Sequence, residues 1–320
     1  MKSVLFLVAL AAVGMMGFAN QRGGTCTVAA IEDIVAEHRF DKLTALFEAS
    51  LWVAGGLILL ATFGWLPEMP ASYATGIATI LGGALFGIGA FVNRACAFGS
   101  VARLGSGDWA YLATPAGFYL GALLTTHVSH PLPLIEQSIL IDTPQWLAIL
   151  VAALLAARIF SHGWKIRRSE RSVLDHVWSP HLATTVIGIS FLVALVSMGP
   201  WDYTILLTDL ADGAMRGFAS HLALNLALLG GAIAGGWTAG RLKPVLPEPR
   251  RLIRSLVGGT IMGLGSRLIP GGNTGLVLVG LPLLRPYAWL ALASMCLTIY
   301  AAIRLRYRVH AGRTPSTVRH

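Results

Sequence analysis

Apolar residues run along this chain in long, close to continuous blocks, with short polar stretches between them. A block of about 20 apolar residues matches the thickness of a bilayer core as a helix. The pattern predicts nine membrane helices, over residues 3–19, 43–63, 73–93, 109–127, 145–162, 180–199, 218–240, 252–269 and 287–304. Trp65, Trp109, Trp146, Trp164, Trp178, Trp201 and Trp289 stand near the ends of these blocks, as an interfacial aromatic belt requires.

Composition agrees. Only 12% of the 320 residues are Asp, Glu, Lys or Arg, about half the share usual in soluble domains. The net charge of +9 would point to nucleic acid in a soluble protein. Here no basic patch is interleaved with aromatics, so nucleic acid is set aside, and the excess reads as positive residues on the cytoplasmic side. Lys and Arg are absent from 64–72 and 128–144. They occur in the alternate connections: Arg22, Arg39 and Lys42; Arg94 and Arg103; Lys165, Arg167, Arg168 and Arg171; Arg241, Lys243, Arg250 and Arg251; and the tail from Arg304 to Arg319. That alternation predicts an external N-terminus and a cytoplasmic C-terminus in a bacterial inner membrane. The first block also resembles a signal peptide, but the basic connection behind it favours an uncleaved first helix.

The chain repeats itself. Residues 82–99 match 258–275, and Gly82, Gly83, Gly87, Gly89 and Gly99 recur at Gly258, Gly259, Gly263, Gly265 and Gly275, each 176 positions on. A weaker echo sets 31–34 against 207–210 at the same offset. The step from third to eighth block spans an odd number of crossings, so the halves have inverted topology, a construction that places a transport path at the repeat interface. The halves are expected at 1–162 and 180–320, joined by a basic cytoplasmic linker over 163–179.

Two segments carry distinctive chemistry. One runs from Asn93 to Leu112, with Cys96 between Arg94 and Arg103, and is too rich in glycine to make a good helix. The other has Arg22, Gly23 and Gly24 before Cys26, with Thr25 and Thr27 beside it. Broken helices at membrane depth survive where protein or a wet cavity surrounds them, and a helix start exposes N–H groups to anions. A cytoplasmic loop with two orienting arginines and an incidental cysteine fits the first segment equally well. A third break has Arg267, Pro270, Gly271, Gly272, Asn273 and Thr274 but no cysteine. Cys296 lies inside the last block and reads as a small hydrophobe. Glu48, Glu32 and Asp33 are candidates for proton coupling, with ordinary solvation at helix ends as the plainer account. Three cysteines without CxxC, and nine histidines without ligand spacing, argue against a disulfide framework, a metal site or a cofactor. No phosphate-binding loop points to nucleotide-driven work.

The segments 22–34, 93–121 and the late glycine-rich run through 284 resemble the YeeE/YedE sulfur-transport family, which includes bacterial thiosulfate transporters. The resemblance implies an all-α, hourglass-like membrane protein with about nine transmembrane helices, two inverted repeats and short re-entrant helices. It implies a central line of cysteines that pass thiosulfate along by weak S–H hydrogen bonds, with no enzymatic step. Cys26 and Cys96 match the family's first two cysteines. The third falls on Gly272, which leaves another small sulfur anion open and gives Asn273 and Thr274 as neutral contacts there. Arg22, Arg94, Arg103 and Arg267 supply charge at the mouths. Beyond the anion and the bilayer, this reading admits a cytoplasmic sulfur-carrier or rhodanese-like partner. Two rivals stand beside it: a membrane sulfur-relay enzyme with a persulfide on Cys26 or Cys96, and a scaffold subunit that anchors a partner through 163–178.

Overall fold

The computed structural model describes residues 2–66, 69–127, 133–134, 144–168, 177–214, 217–269 and 272–311. Several residues named above therefore lie outside the described set: Arg171, Arg319, Pro270, Gly271 and most of the Lys- and Arg-free connection 128–143. The described chain forms α1 (Lys2–Gly23), α2 (Thr27–Glu37), α3 (Asp41–Thr62), α4 (Ile77–Asn93), α5 (Ala97–Gly105), α6 (Ala113–Leu124) and α7 (Gln145–Arg168). There follow α8 (Pro180–Met198), α9 (Ile205–Ala211), α10 (Phe218–Thr238), α11 (Pro249–Ser266), α12 (Gly272–Gly275) with a π turn at Leu276–Gly280, and α13 (Pro286–Ala311). Two-residue strands β1 (Ser72–Tyr73) and β2 (Pro133–Leu134) pair antiparallel.

Every predicted span falls on a helix. Seven helical stretches among the described residues are long and apolar enough to cross a bilayer. The other two predicted spans are α6, which has 12 residues, and α11, which opens on Pro249, Arg250 and Arg251. The protein is an all-α integral membrane protein with multiple crossings.

Two local expectations need correction. The span 109–127 begins as a 3-10 turn at Trp109–Leu112 and ends at Leu124, where the Thr125 hydroxyl bonds back to the Gly121 carbonyl at 2.8 Å. In the segment from Asn93 to Leu112, expected to be too rich in glycine for a good helix, the breaks are limited to Arg94–Cys96 and Ser106–Asp108, and Ala97–Gly105 is helical. Glycine is a poor helix former in isolation, but tertiary contacts override propensity: Gly99 lies against Cys26 and Gly105 against Ala232, where a Cβ would stand 2.5 Å from Cys26 Sγ and from the Ala232 carbonyl oxygen.

The repeat is visible in the helices themselves. Moved on by 176 positions, α1 falls on α8, α2 on α9, α3 on α10, α4 on α11, α5 on α12 with its π turn, and α6 on α13. Among the described helices, α7 alone has no counterpart. The contacts follow the same exchange, since α1 packs on α10 as α8 packs on α3, and α6 on α11 as α13 on α4. The counterparts α4 and α11 run antiparallel across the centre. A Cβ on Gly258 would lie 2.8 Å from the Gly89 carbonyl oxygen, and one on Gly265 would lie 2.8 Å from that of Gly82. This reciprocal pattern is that of a twofold interface built inside one chain. Glycine stripes suit the bilayer, where helices associate by close backbone packing rather than by escape from water.

Candidate functional site

Short helices start at the centre of the molecule from both halves. Gly24, at φ +57, breaks the helix between α1 and α2, and Arg94, at φ 64, does the same between α4 and α5. Buried amides hold these breaks. Asn20 donates to the Phe98 carbonyl at 2.8 Å and accepts from Thr25 Oγ1 at 2.7 Å. Asn93 donates to the Ala95 carbonyl at 2.8 Å and to Ser100 Oγ at 2.9 Å, and accepts from Thr114 Oγ1 at 3.1 Å. Non-helical backbone inside a membrane protein needs such partners in place of water.

The short helices α2 and α5 each open on a cysteine: Cys26 stands at the N-cap position of α2, and Cys96 caps α5 through its side chain. Their thiols are free and buried, and the two Sγ atoms are 3.6 Å apart. Cys96 N–H points at Cys26 Sγ at 3.4 Å. Cys96 Sγ accepts from the Gly99 N–H at 3.3 Å and from Asn273 Nδ2 at 3.5 Å. Asn273 also accepts from Thr27 Oγ1 at 3.3 Å, so the two halves are tied to one another at the thiols. Cap positions usually carry Ser, Thr, Asp or Asn; a thiol there donates and accepts more weakly.

Two cavities flank this waist. The smaller, about 230 Å³, is lined by Cys26 and Gly99 and by Lys42, Arg94, Arg103, Arg241 and Glu32. The larger, about 420 Å³, is lined by Gly272 and Gly275 and by Asp202, Asp209, Asp212 and Arg267. They are repeat mates. Gly24, Cys26, Ala29, Glu32, Gly99 and Arg103 of the first correspond at 176 positions to Pro200, Asp202, Ile205, Thr208, Gly275 and Val279 of the second. The chemistry differs across the pair, cations against a single acid on one side and acids against a single arginine on the other.

Among the sequence-predicted residues, Cys26, Cys96, Gly272 and Asn273 come together at the waist, with Thr274 buried beside them. Arg94 and Arg103 are exposed on the smaller cavity. Arg267 reaches the larger one but is buried and already engaged: it meets Asp212 at 2.6 and 2.7 Å and the Ala122 carbonyl at 3.0 Å, joining α11 to the end of α6. Arg22 lines neither cavity. It is fully buried, 2.6 Å from Thr238 Oγ1 and 5.0 Å from the Phe18 ring centroid. Cys296 packs on the apolar core from α13. The candidate acids are paired: Glu48 with Arg158 at 2.7 Å and His181 at 2.5 Å, Asp33 with Lys42 at 2.9 Å, and Glu32 with Arg306 at 2.6 Å.

Trp201, expected in the interfacial belt, is instead buried and lines the larger cavity, with Asp202 and Thr204, which sequence reasoning missed. Asp202 stands 176 positions after Cys26, so the signal lay in carrying the repeat from the glycines to the cysteines.

The sulphur transport family model matches residues 22–301. The thiosulfate transporter TsuA of Spirochaeta thermophila is 28% identical over 311 aligned residues, covering 87% of this chain and 92% of that protein. TsuA of Escherichia coli is 22% identical over 340 aligned residues, covering 95% of each. With its matched segment taking in both halves and both cavities, this chain belongs to the sulphur transport family.

Proposed function

We propose that this chain is an inner-membrane permease that imports a small sulfur-containing anion, thiosulfate first among them, past the thiols of Cys26 and Cys96. One observation carries the reading: two free thiols 3.6 Å apart, on the starts of α2 and α5, between two polar cavities of opposite halves. Helix starts offer N–H groups to an anion. A dianion gives up much hydration to enter, and a path that held it by fixed cations alone would trap it. Thiols are weak donors, so they bind loosely enough for release. Arginines at the mouth and thiols at the waist divide capture from passage. The two relatives named as thiosulfate transporters support the choice of anion.

The Lys and Arg distribution supports an external N-terminus and a cytoplasmic C-terminus. In that orientation the cavity with Arg94 and Arg103 opens to the cytoplasm and the one with Arg267 to the outside. Residues 1–162 and 180–320 act as the two halves that meet around the path.

The test is uptake of labelled thiosulfate, sulfite and sulfate by proteoliposomes that hold only this chain. Saturable thiosulfate uptake supports the permease. A trapped persulfide on Cys26 or Cys96, with no uptake of any anion, supports a membrane sulfur relay instead.

A further inference from the structure

Resting on the transport reading above, we propose that Asp202, as the neutral carboxylic acid, and Trp201 hold the anion on the Gly272 side of the waist, in the place a third thiol would take. The repeat puts Asp202 where the first half has Cys26, and Gly272 where it has Cys96. A side chain added at Gly272 would start 3.1 Å from Thr204 Oγ1, and Thr204 Oγ1 is bonded to Asp202 Oδ1. The carboxyl is thus one hydrogen bond from the vacant thiol position.

Both oxygens of Asp202 are accounted for differently. Oδ1 accepts from the Thr204 N–H at 2.6 Å and from the Thr204 hydroxyl. Oδ2 is buried against Gly275, whose backbone N–H lies near enough to favour the ionised form, but no hydrogen bond of ordinary geometry reaches Oδ2 among the described residues. Trp201 Nε1 likewise has no hydrogen-bond partner among the described residues. Asp202 and Trp201 are 3% exposed, and both line the 420 Å³ cavity. Buried polar atoms are almost always paired, so an adjacent orphaned donor and carboxyl oxygen need an explanation. An anion bound between them supplies one. The indole N–H can only donate, and it points to an acceptor as partner. An ionised carboxylate would repel that acceptor, whereas a protonated one donates to it.

The surroundings agree. Arg267 is committed to Asp212, and Asp209 lies 3.9 Å from His221. Tyr73 and Tyr287 complete the titratable lining, with Tyr203 next in the chain. None of these leaves a cation facing Asp202, so the ionised form has no counter-charge within the lining. Uptake is therefore present below the carboxyl's own pKa and is lost as pH rises through it.

Thiosulfate is the probe, because it stays a dianion throughout the range tested. Uptake is measured in proteoliposomes with equal pH on both sides, from pH 5 upward. Wild type should show an alkaline limb on which the rate falls about tenfold per pH unit, as the protonated fraction does. Asp202→Asn keeps both Thr204 bonds through its carbonyl and offers a permanent N–H donor, so it should transport with the alkaline limb abolished. Asp209→Asn should keep the wild-type limb. Trp201→Phe should raise the half-saturating concentration about tenfold, for one lost hydrogen bond to an ion. A flat wild-type profile, or an unchanged limb in Asp202→Asn, overturns this inference alone. No uptake by wild type at any pH overturns the transport reading and this inference with it. If Asp202→Asn does not fold, the wild-type limb still decides.

Discussion

Cys26 Sγ and Cys96 Sγ lie 3.6 Å apart although 70 residues separate them in sequence. Each cysteine stands at the start of a short helix, two residues after a left-handed residue that breaks the preceding helix, Gly24 or Arg94. The contact thus joins two helix breaks at a point where an anion would meet N–H groups and weak donors together.

Replacing Cys96 by Ala removes one donor and little volume. Uptake of thiosulfate should fall by at least about tenfold, while thermal stability changes by only about 1 kcal/mol. Cys26→Ala should behave alike, and Cys296→Ala, out on α13, should transport as wild type. Uptake and melting temperature measured on the same preparations separate these outcomes; normal transport by Cys96→Ala would end the thiol account.

Gly99 sets the spacing of the thiols. A methyl group there would lie 2.5 Å from Cys26 Sγ, so Gly99→Ala must push Cys26 from Cys96. We expect uptake to fall as far as in the cysteine variants, at a stability cost of about 1–3 kcal/mol from overpacking. The rate of thiol cross-linking by a short bifunctional reagent should drop in parallel; an unchanged rate would show that the pair had not moved.

Gly272→Cys restores a thiol at the vacant position of the repeat. The backbone there has φ +51, which costs a side-chain-bearing residue about 1–2 kcal/mol. Thr204 Oγ1 must also yield slightly to a Cβ at 3.1 Å. The variant should therefore melt lower than wild type and yet raise the ratio of thiosulfate to sulfite uptake. An unchanged ratio in a folded variant would mean that residue 272 does not face the ion.

Gly89 and Gly258 test the internal twofold. A Cβ on Gly89 would come within 2.6 Å of the Met262 nitrogen, and backbone cannot step aside as a flexible side chain can. Gly89→Ala and Gly258→Ala should each destabilise by about 1–3 kcal/mol, and the double variant should depart from additivity because the residues touch. Denaturation in detergent measures all three; additive effects would argue against direct contact.

Orientation is tested by labelling. On a cysteine-free background, a cysteine introduced by Glu170→Cys should react with an impermeant reagent only after the cells are opened. One introduced by Gln137→Cys should react in intact cells. Labelling of the former from outside would reverse the two mouths.

Sequence alone determined the membrane class, because continuous apolar blocks admit little else, and it located the nine long apolar stretches, though not the bounds of the short helices α2, α5, α9 and α12. It also determined the repeat, since glycines needed for close backbone approach must recur in register if the packing recurs. It named Cys26, Cys96 and Asn273, whose contacts no local pattern could reveal. Tertiary structure decided what those residues face. It made α5 a helix despite its glycines, because Cys26 and Ala232 occupy the space that side chains would need. It tied up Arg22 and Arg267 within the protein: a guanidinium in sequence is a charge, and only its neighbours decide whether that charge is spent. It also brought Trp201 and Asp202 to the larger cavity. Their significance depends on a partner that is absent from their own segment, and on an empty position contributed by Gly272 from the other end of the same half.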